Sequence, residues 1–189
     1  MPKIKVKAEQ LVLGLYLTGA GVMLLIRKSL VFPRDWLELI GLFIGGAIGW
    51  LLVWFDKIAF VYIIHPEAQI SQYVKYQIEK RNYKGAFELL ETRAGEMEKL
   101  TSRSVLFQAA YIVLALFVLT STATMFGKSL VMGLGLRIIL TDWQEYLKDK
   151  EGLKRKLFWQ VQRQVSNLEL KWFMYLGTGL FAWLTWLWV

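Results

Sequence analysis

The sequence predicts an all-α fold, a polytopic helical integral membrane protein with five transmembrane helices, or four if one doubtful stretch does not cross. Hydrophobic residues make up 56% of the 189 residues and the mean hydropathy is +0.39, which is too apolar for an ordinary soluble domain. Uncharged stretches recur that are long enough as helix to cross about 30 Å of hydrocarbon. The Lys and Arg residues behind the net charge of +8 flank these stretches, which is typical of membrane orientation rather than of nucleic-acid binding.

The first span is predicted at about residues 8–26. Residues 11–26 carry no charge, and Lys3, Lys5 and Lys7 precede them as in a signal peptide. No small-residue cleavage site follows, so we expect a retained membrane anchor.

The second span is predicted at about residues 36–57. Gly41, Gly45 and Gly49 recur every four residues and therefore lie on one helix face, where two overlapping GxxxG steps favour close helix packing. Asp56 and Lys57 come at the end of this span.

Residues 66–103 are amphipathic at helical spacing and predict a cytosolic helical hairpin. The junction RNYKGAFELLE inside it resembles the turn of a tetratricopeptide repeat. The resemblance covers one hairpin, whereas such arrays need about three repeats to be stable.

A third span is predicted at about residues 104–127, which carry no charge and include a few mildly polar side chains. The doubtful stretch is 129–143. It is short, it is interrupted by Arg137, and Gly133 and Gly135 indicate close packing or a bend. It can cross the membrane, re-enter it as a half-helix, or lie flat.

Residues 144–168 are basic with an apolar stripe, which is typical of a helix that lies on a membrane surface. A last span is predicted at about 171–189. Its aromatic stripe, Trp172, Tyr175, Trp183 and Trp186, is interpreted as an interface anchor and packing face or as the lining of a groove for an apolar ligand.

The distribution of basic residues decides between four and five spans. With five crossings and a cytoplasmic N-terminus, eighteen Lys and Arg lie on the inner side, four on the outer side, and Arg137 within the membrane. With four crossings the division is eleven against twelve. Because basic residues collect on the cytoplasmic side, we expect a multi-pass protein of the cell membrane, in a prokaryote, with a cytoplasmic N-terminus.

The candidate polar couple is Asp56, Lys57 and Arg137. Asp56 and Arg137 are predicted at similar depth in the inner half of the membrane, where pairing would offset the cost of a buried guanidinium. The alternative is that Asp56 and Lys57 are interfacial and that Arg137 extends to the headgroups.

These features favour a non-catalytic membrane subunit or scaffold that packs through its glycine-rich faces and recruits a partner by the cytosolic hairpin. The chain has no cysteine and one histidine, and no catalytic or metal-binding pattern is evident, so we expect no enzyme, cofactor or metal. Expected partners are anionic headgroups at the basic inner loops and a second copy or another membrane protein, but no nucleic acid. The alternative function is a small oligomeric channel or transporter that uses the Asp56/Arg137 couple.

Overall fold

The computed structural model of the chain describes residues 2–28, 36–93, 103–160 and 165–188. Of these residues 88% are helical and none lies in a strand, so the predicted all-α class is confirmed. The helices, labelled α1 to α8 in chain order, are Pro2–Lys28, Trp36–Ala59, Gln69–Glu79, Tyr83–Thr92, Val105–Thr120, Met125–Lys148, Lys150–Leu157 and Asn167–Trp188. A π-helical turn, Phe60–Ile64, continues α2 without a break.

Two helical stretches among the described residues are long and apolar enough to cross a membrane. They are Glu9–Ile26 in α1 and Trp36–Ile64, which combines α2 with its π-helical turn, and Val105–Thr120 is a shorter apolar helix. Length and hydropathy of the helices therefore fit membrane association, and two of the five predicted spans meet this criterion among the described residues.

Helices α2 and α6 pack side by side and run in the same direction. Gly41 lies against Phe126 of α6, and Gly49 lies against Leu130 and Leu134 further along it. A side chain at Gly49 would overlap the carbonyl of Leu130, and one at Gly133 would overlap the carbonyl of Gly46. The two backbones thus approach each other directly, as small residues on facing helices allow.

The other long helices run opposite to this pair. On α1, Leu17 packs on Gly46, while Glu9 reaches Arg137. On α5, the Tyr111 hydroxyl donates to the Val131 carbonyl at 3.1 Å, and the Gln108 amide donates to Asp142 at 2.6 Å.

Helix α8 is held in the same way. The Trp143 indole donates to the Thr178 hydroxyl at 2.8 Å, and Phe181 lies beside Gly135. The chain therefore alternates in direction through α1, α2, α5, α6 and α8. Leu17, Leu42, Ala115, Met132 and Leu184 are buried in the core between these five helices.

The α3–α4 hairpin has a small core of its own at one end of the bundle, which we call the hairpin end. Phe60 and Val61 of the π-helical turn pack there against Val74 of α3 and against Ala86 and Leu90 of α4. Asn82 caps α4 by accepting from the Gly85 amide at 3.1 Å, as is common at helix N-termini. The predicted hairpin is thus found for residues 69–92, and its residues 94–102 lie outside the described ranges.

The third predicted span, 104–127, is divided in the structure. Helix α5 ends at Thr120 because the Ser121 hydroxyl bonds back to the Val118 carbonyl at 2.9 Å and accepts from the Ala123 amide at 3.2 Å. Thr124 then caps α6. The doubtful stretch 129–143 belongs to this continuous helix of 24 residues, and Met132, Gly133 and Leu136 within it are buried.

The predicted interfacial helix, 144–168, is wrong as a single element. Helix α6 continues to Lys148, Asp149 caps the 8-residue α7, and α8 begins at Asn167. The apolar stripe of α7 is not free for a membrane surface, because Leu153 and Leu157 are buried against Leu170 and Met174.

Candidate functional site: a groove at the hairpin end of the bundle

A buried ion pair joins α1 to α6. Arg137 donates to the carboxylate of Glu9, and each of the two side chains is only 10% exposed. Breaking such a pair leaves one buried charge without compensation, which is strongly destabilising. The pair therefore holds Arg137, which interrupts an otherwise apolar stretch of α6, inside the bundle.

Arg137 also packs on an aromatic ring of α2. Its guanidinium carbon lies 4.6 Å from the centroid of the Trp50 ring, within the range of a favourable cation–π contact. Asp56 is six residues further along α2, about 9 Å closer to the C-terminal end of that helix. The predicted Asp56–Arg137 couple is therefore wrong: Glu9 is the acid that pairs with Arg137, and Trp50 is its neighbour on α2.

Lys57 fastens the hairpin to α2. Its ammonium donates to the Leu90 carbonyl at 3.4 Å and lies 4.2 Å from the centre of the Trp54 ring. Trp54 itself stacks on Phe87 of α4, with ring centroids 4.2 Å apart and planes at 10°. Lys57 is buried and thus belongs to a structural junction.

The junction between the π-helical turn and α3 orients the hairpin further. The Ser71 hydroxyl donates to the His65 carbonyl at 2.7 Å. The His65 ring lies 3.0 Å from the Glu67 carboxylate, and this hydrogen bond lowers the pKa of Glu67. Both contacts tie the start of α3 to the end of the second helix.

A groove of about 630 Å³ lies between α1, α2 and the hairpin, and we call it the hairpin groove. Its walls are mainly apolar and aromatic, and they include Leu13, Trp50, Trp54, Phe55, Ile58, Val74, Phe87 and Leu90. Glu9 and Arg137 line it, and Tyr83 lines it from the hairpin. Volumes of 300–1,000 Å³ with few polar groups are typical of small-molecule sites.

A second polar cluster lies where α5, α6 and α7 meet. Arg103 pairs with Glu145, and Lys156 reaches the same carboxylate at 3.2 Å. Arg103 and Lys156 are buried, so Glu145 balances two cations. This cluster fixes the short α7 beneath the bundle.

The predicted glycine positions have three different surroundings. Gly41, Gly45 and Gly49 face α6, Gly133 faces Gly46 of α2, and Gly135 faces Tyr111 and Phe181. The hypothesis that the α2 glycine face receives a partner span or a second copy is therefore revised, because α6 of the same chain occupies that face.

The aromatic stripe of α8 lies on the outside. Trp172, Tyr175, Trp183 and Trp186 are all more than half exposed. Tyr175 meets Trp143 edge to face, with centroids 5.7 Å apart. The stripe is therefore mainly an outer surface of the bundle, and none of its four side chains lines the hairpin groove.

Glu9 and the hairpin groove are features that the sequence interpretation missed. Glu9 is the only acid before residue 35. A single acid at the start of the first predicted span was therefore the one feature of the sequence that could have indicated a partner for Arg137. No such signal exists for the groove, because its walls come from α1, α2, α3, α4 and α6. Within the described ranges no three His, Cys, Asp or Glu side chains form a metal-binding group.

Comparison of the chain with protein-family models, with curated proteins and with solved structures finds no match.

Proposed function

We propose that this chain is an integral membrane protein that crosses the bilayer five times, with its N-terminus in the cytoplasm. The alternating direction of α1, α2, α5, α6 and α8 supports five crossings, since contacts along these helices put their ends at the same two levels. The α3–α4 hairpin and α7 then lie on the cytoplasmic side. The excess of basic residues on that side supports the same orientation.

The apolar outer surface of the bundle supports the proposal that the bundle is surrounded by lipid. Large apolar side chains on four of these helices are more than two-thirds exposed, among them Leu15 (71%), Ile26 (76%), Phe117 (71%) and Trp186 (71%). Soluble monomers rarely expose extended apolar surface. The shortness of α5 does not exclude a crossing, because spans shorter than the hydrocarbon are accommodated by local thinning of the bilayer.

The function we propose is that of a non-catalytic membrane subunit that presents the hairpin to a cytosolic partner. The observation that carries this proposal is the attachment of the hairpin to α2 through Lys57, Trp54 and Phe87. A hairpin held at two points presents a defined surface, and that surface includes the half-exposed rings of Tyr73 and Tyr76. Exposed tyrosines are common in protein interfaces.

Topology is tested first, by single-cysteine labelling, because the chain has no cysteine background. Cysteines at Gln72 and Lys150 should react only with a reagent that enters the cytoplasm, and a cysteine at Thr122 should react with an impermeant reagent outside. Labelling of residues 72 and 150 from opposite sides would exclude five spans.

Partner recruitment is tested by photo-crosslinking in cells. A photoreactive residue at Tyr73 should give one discrete cross-linked species, and the same residue at Leu147, exposed at the same end of the bundle, is the matched control. Equal patterns at the two positions would contradict the scaffold function.

Ion transport is the competing function, since the Glu9–Arg137 pair is a buried polar element in an apolar bundle. Liposomes that contain the protein and conduct ions, with loss of flux on Glu9→Gln, would favour transport over a scaffold.

A further inference from the structure

The turn of the hairpin is cationic and exposed. Lys80, Arg81 and Lys84 lie within five residues and all three are exposed, as is Tyr83 between them. Arg81 has a φ of 56°, a left-handed conformation that closes the turn tightly. We call these three basic residues the cationic turn.

The cationic turn is directed back along α2 rather than away from the bundle. On α4, Leu90 lies at Lys57, and Phe87, one turn closer to the cationic turn, lies at Trp54. Each step along α4 towards the turn is therefore a step along α2 towards Trp50. In the proposed topology this is the direction of the inner-leaflet headgroups, so the inference rests on that topology.

The hairpin groove begins beside this turn. Tyr83 and Phe87 line it from α4, and Trp54 and Trp50 continue its wall along α2. One side is open, because Leu51, Phe55 and Tyr62 line the groove and remain about half exposed or more. An acyl chain can therefore enter sideways from the surrounding lipid.

The deep end of the groove is polar but neutral. Glu9 and Arg137 balance each other there, so this end offers no net charge to an anion. The Arg137 Nε is buried without a hydrogen-bond partner among the described residues. Attraction for an anion thus comes from the cationic turn, while the groove walls offer apolar contact.

We propose that the hairpin groove and the cationic turn together bind one anionic glycerophospholipid of the inner leaflet. Its headgroup phosphate lies at Lys80, Arg81 and Lys84, and one acyl chain runs from there along the groove past Trp50 and Ala47. Charge complementarity at the turn selects the headgroup, and the volume and apolar walls of the groove accept the chain. A bound lipid would also join the hairpin to the bilayer.

The test is native mass spectrometry of the full chain in mild detergent, titrated with phosphatidylglycerol or phosphatidylcholine. We expect one tightly retained phosphatidylglycerol and at least a tenfold weaker retention of phosphatidylcholine. The triple variant Lys80→Gln, Arg81→Asn, Lys84→Gln should weaken phosphatidylglycerol at least about tenfold, since each cation near an anionic headgroup contributes a several-fold gain. Asparagine is chosen at position 81 because it tolerates positive φ.

Two controls separate charge at the turn from charge in general. Lys148→Gln, Lys150→Gln, Arg155→Gln removes the same charge from exposed positions at the same end of the bundle, and it should change retention less than twofold. Lys80→Arg with Lys84→Arg keeps the charge and should retain the lipid. Equal retention of both phospholipids, or equal losses in the two triple variants, would overturn the proposal.

The groove is tested separately by filling it. Ala47 is exposed and lines the groove, so Ala47→Phe should weaken phosphatidylglycerol about tenfold, whereas Ala110→Phe, at an exposed position on α5, should not. Retention unaffected by Ala47→Phe, or displacement of the lipid by inorganic phosphate, would overturn the proposal. Correct cysteine topology without lipid preference refutes this inference alone, whereas wrong topology refutes the proposed function.

Discussion

Glu9 and Arg137 lie 128 residues apart in the chain and form a buried ion pair between α1 and α6. The pair lies beside Trp50 of α2, so it brings three helices together at one level of the bundle. In a membrane, such a contact removes the cost of an isolated guanidinium in an apolar helix. The free energy of unfolding should therefore depend on Glu9 and Arg137 jointly rather than on each side chain separately.

The first prediction concerns this pair. Glu9→Gln should lower the free energy of unfolding by about 3–5 kcal/mol, because it leaves a buried guanidinium without a counter-charge. The double variant with Arg137→Gln should recover part of that loss, and thermal unfolding in detergent measures each value. Additive losses for Glu9 and Arg137 would show that the two side chains do not interact. Asp56→Asn combined with Arg137→Gln should be additive.

The second prediction concerns the contact between α2 and α6. Gly49→Ala should destabilise the protein by about 1–3 kcal/mol, because the new methyl group meets the Leu130 carbonyl and overpacks the interface. Gly14→Ala is the matched control, since nothing lies within 4 Å of the position of its side chain. That substitution should be neutral or stabilise by about 0.5–1 kcal/mol through helix propensity. A loss at position 14 equal to that at position 49 would contradict the direct backbone approach.

The third prediction concerns the attachment of the hairpin. Phe87→Leu removes the stack on Trp54, so amides of α4 should exchange with solvent faster while those of α6 remain unchanged. A double-mutant cycle with Trp54→Leu should give a coupling of about 0.5–1.5 kcal/mol. Tyr76→Leu, at a half-exposed ring of α3, serves as the control. Identical exchange in the Phe87 and Tyr76 variants would mean that the stack does not hold the hairpin.

The fourth prediction concerns the position of α7. Glu145→Gln should cost about 1.5–3 kcal/mol, because this carboxylate accepts charge-assisted hydrogen bonds from Arg103 and Lys156, which are both buried. Glu151→Gln breaks only a pair with Lys154 in which the acid is 67% exposed, so its cost should stay below about 1 kcal/mol. Chemical denaturation compares the two variants. A larger loss of stability for Glu151→Gln than for Glu145→Gln would show that the Glu145 cluster does not hold α7 in place.

Several elements of the fold could be predicted from local patterns alone. Helices at the first, second and last predicted spans follow from apolar length, which each segment carries in itself. The glycine spacing of α2 likewise predicts close packing wherever a neighbour exists. The break at residues 121–124 was missed, because Ser and Thr are compatible with an apolar span but also bond locally to the backbone and end a helix.

The choice of partner could not be predicted for any polar group. Asp56 and Arg137 were matched by depth along two helices, but depth does not say which helices are neighbours or how each is rotated. The same limit applies to the glycine face, which could equally accept α6, a second copy or another protein. The basic segment 144–168 was interpreted as one surface helix because the burial of its apolar stripe against α8 depends on a segment further along the chain.

Hydropathy, charge distribution and helix periodicity are properties of short segments, so the amino-acid sequence by itself determined the helical class, the apolar helices and the helical hairpin. Only the tertiary structure decided that Glu9 pairs with Arg137, that α6 fills the glycine face of α2, and that a groove opens beside the hairpin. These features arise when helices far apart in the chain meet at particular rotations. The free energy of helix packing depends on all of the packed surfaces together, so it cannot be deduced from any single segment.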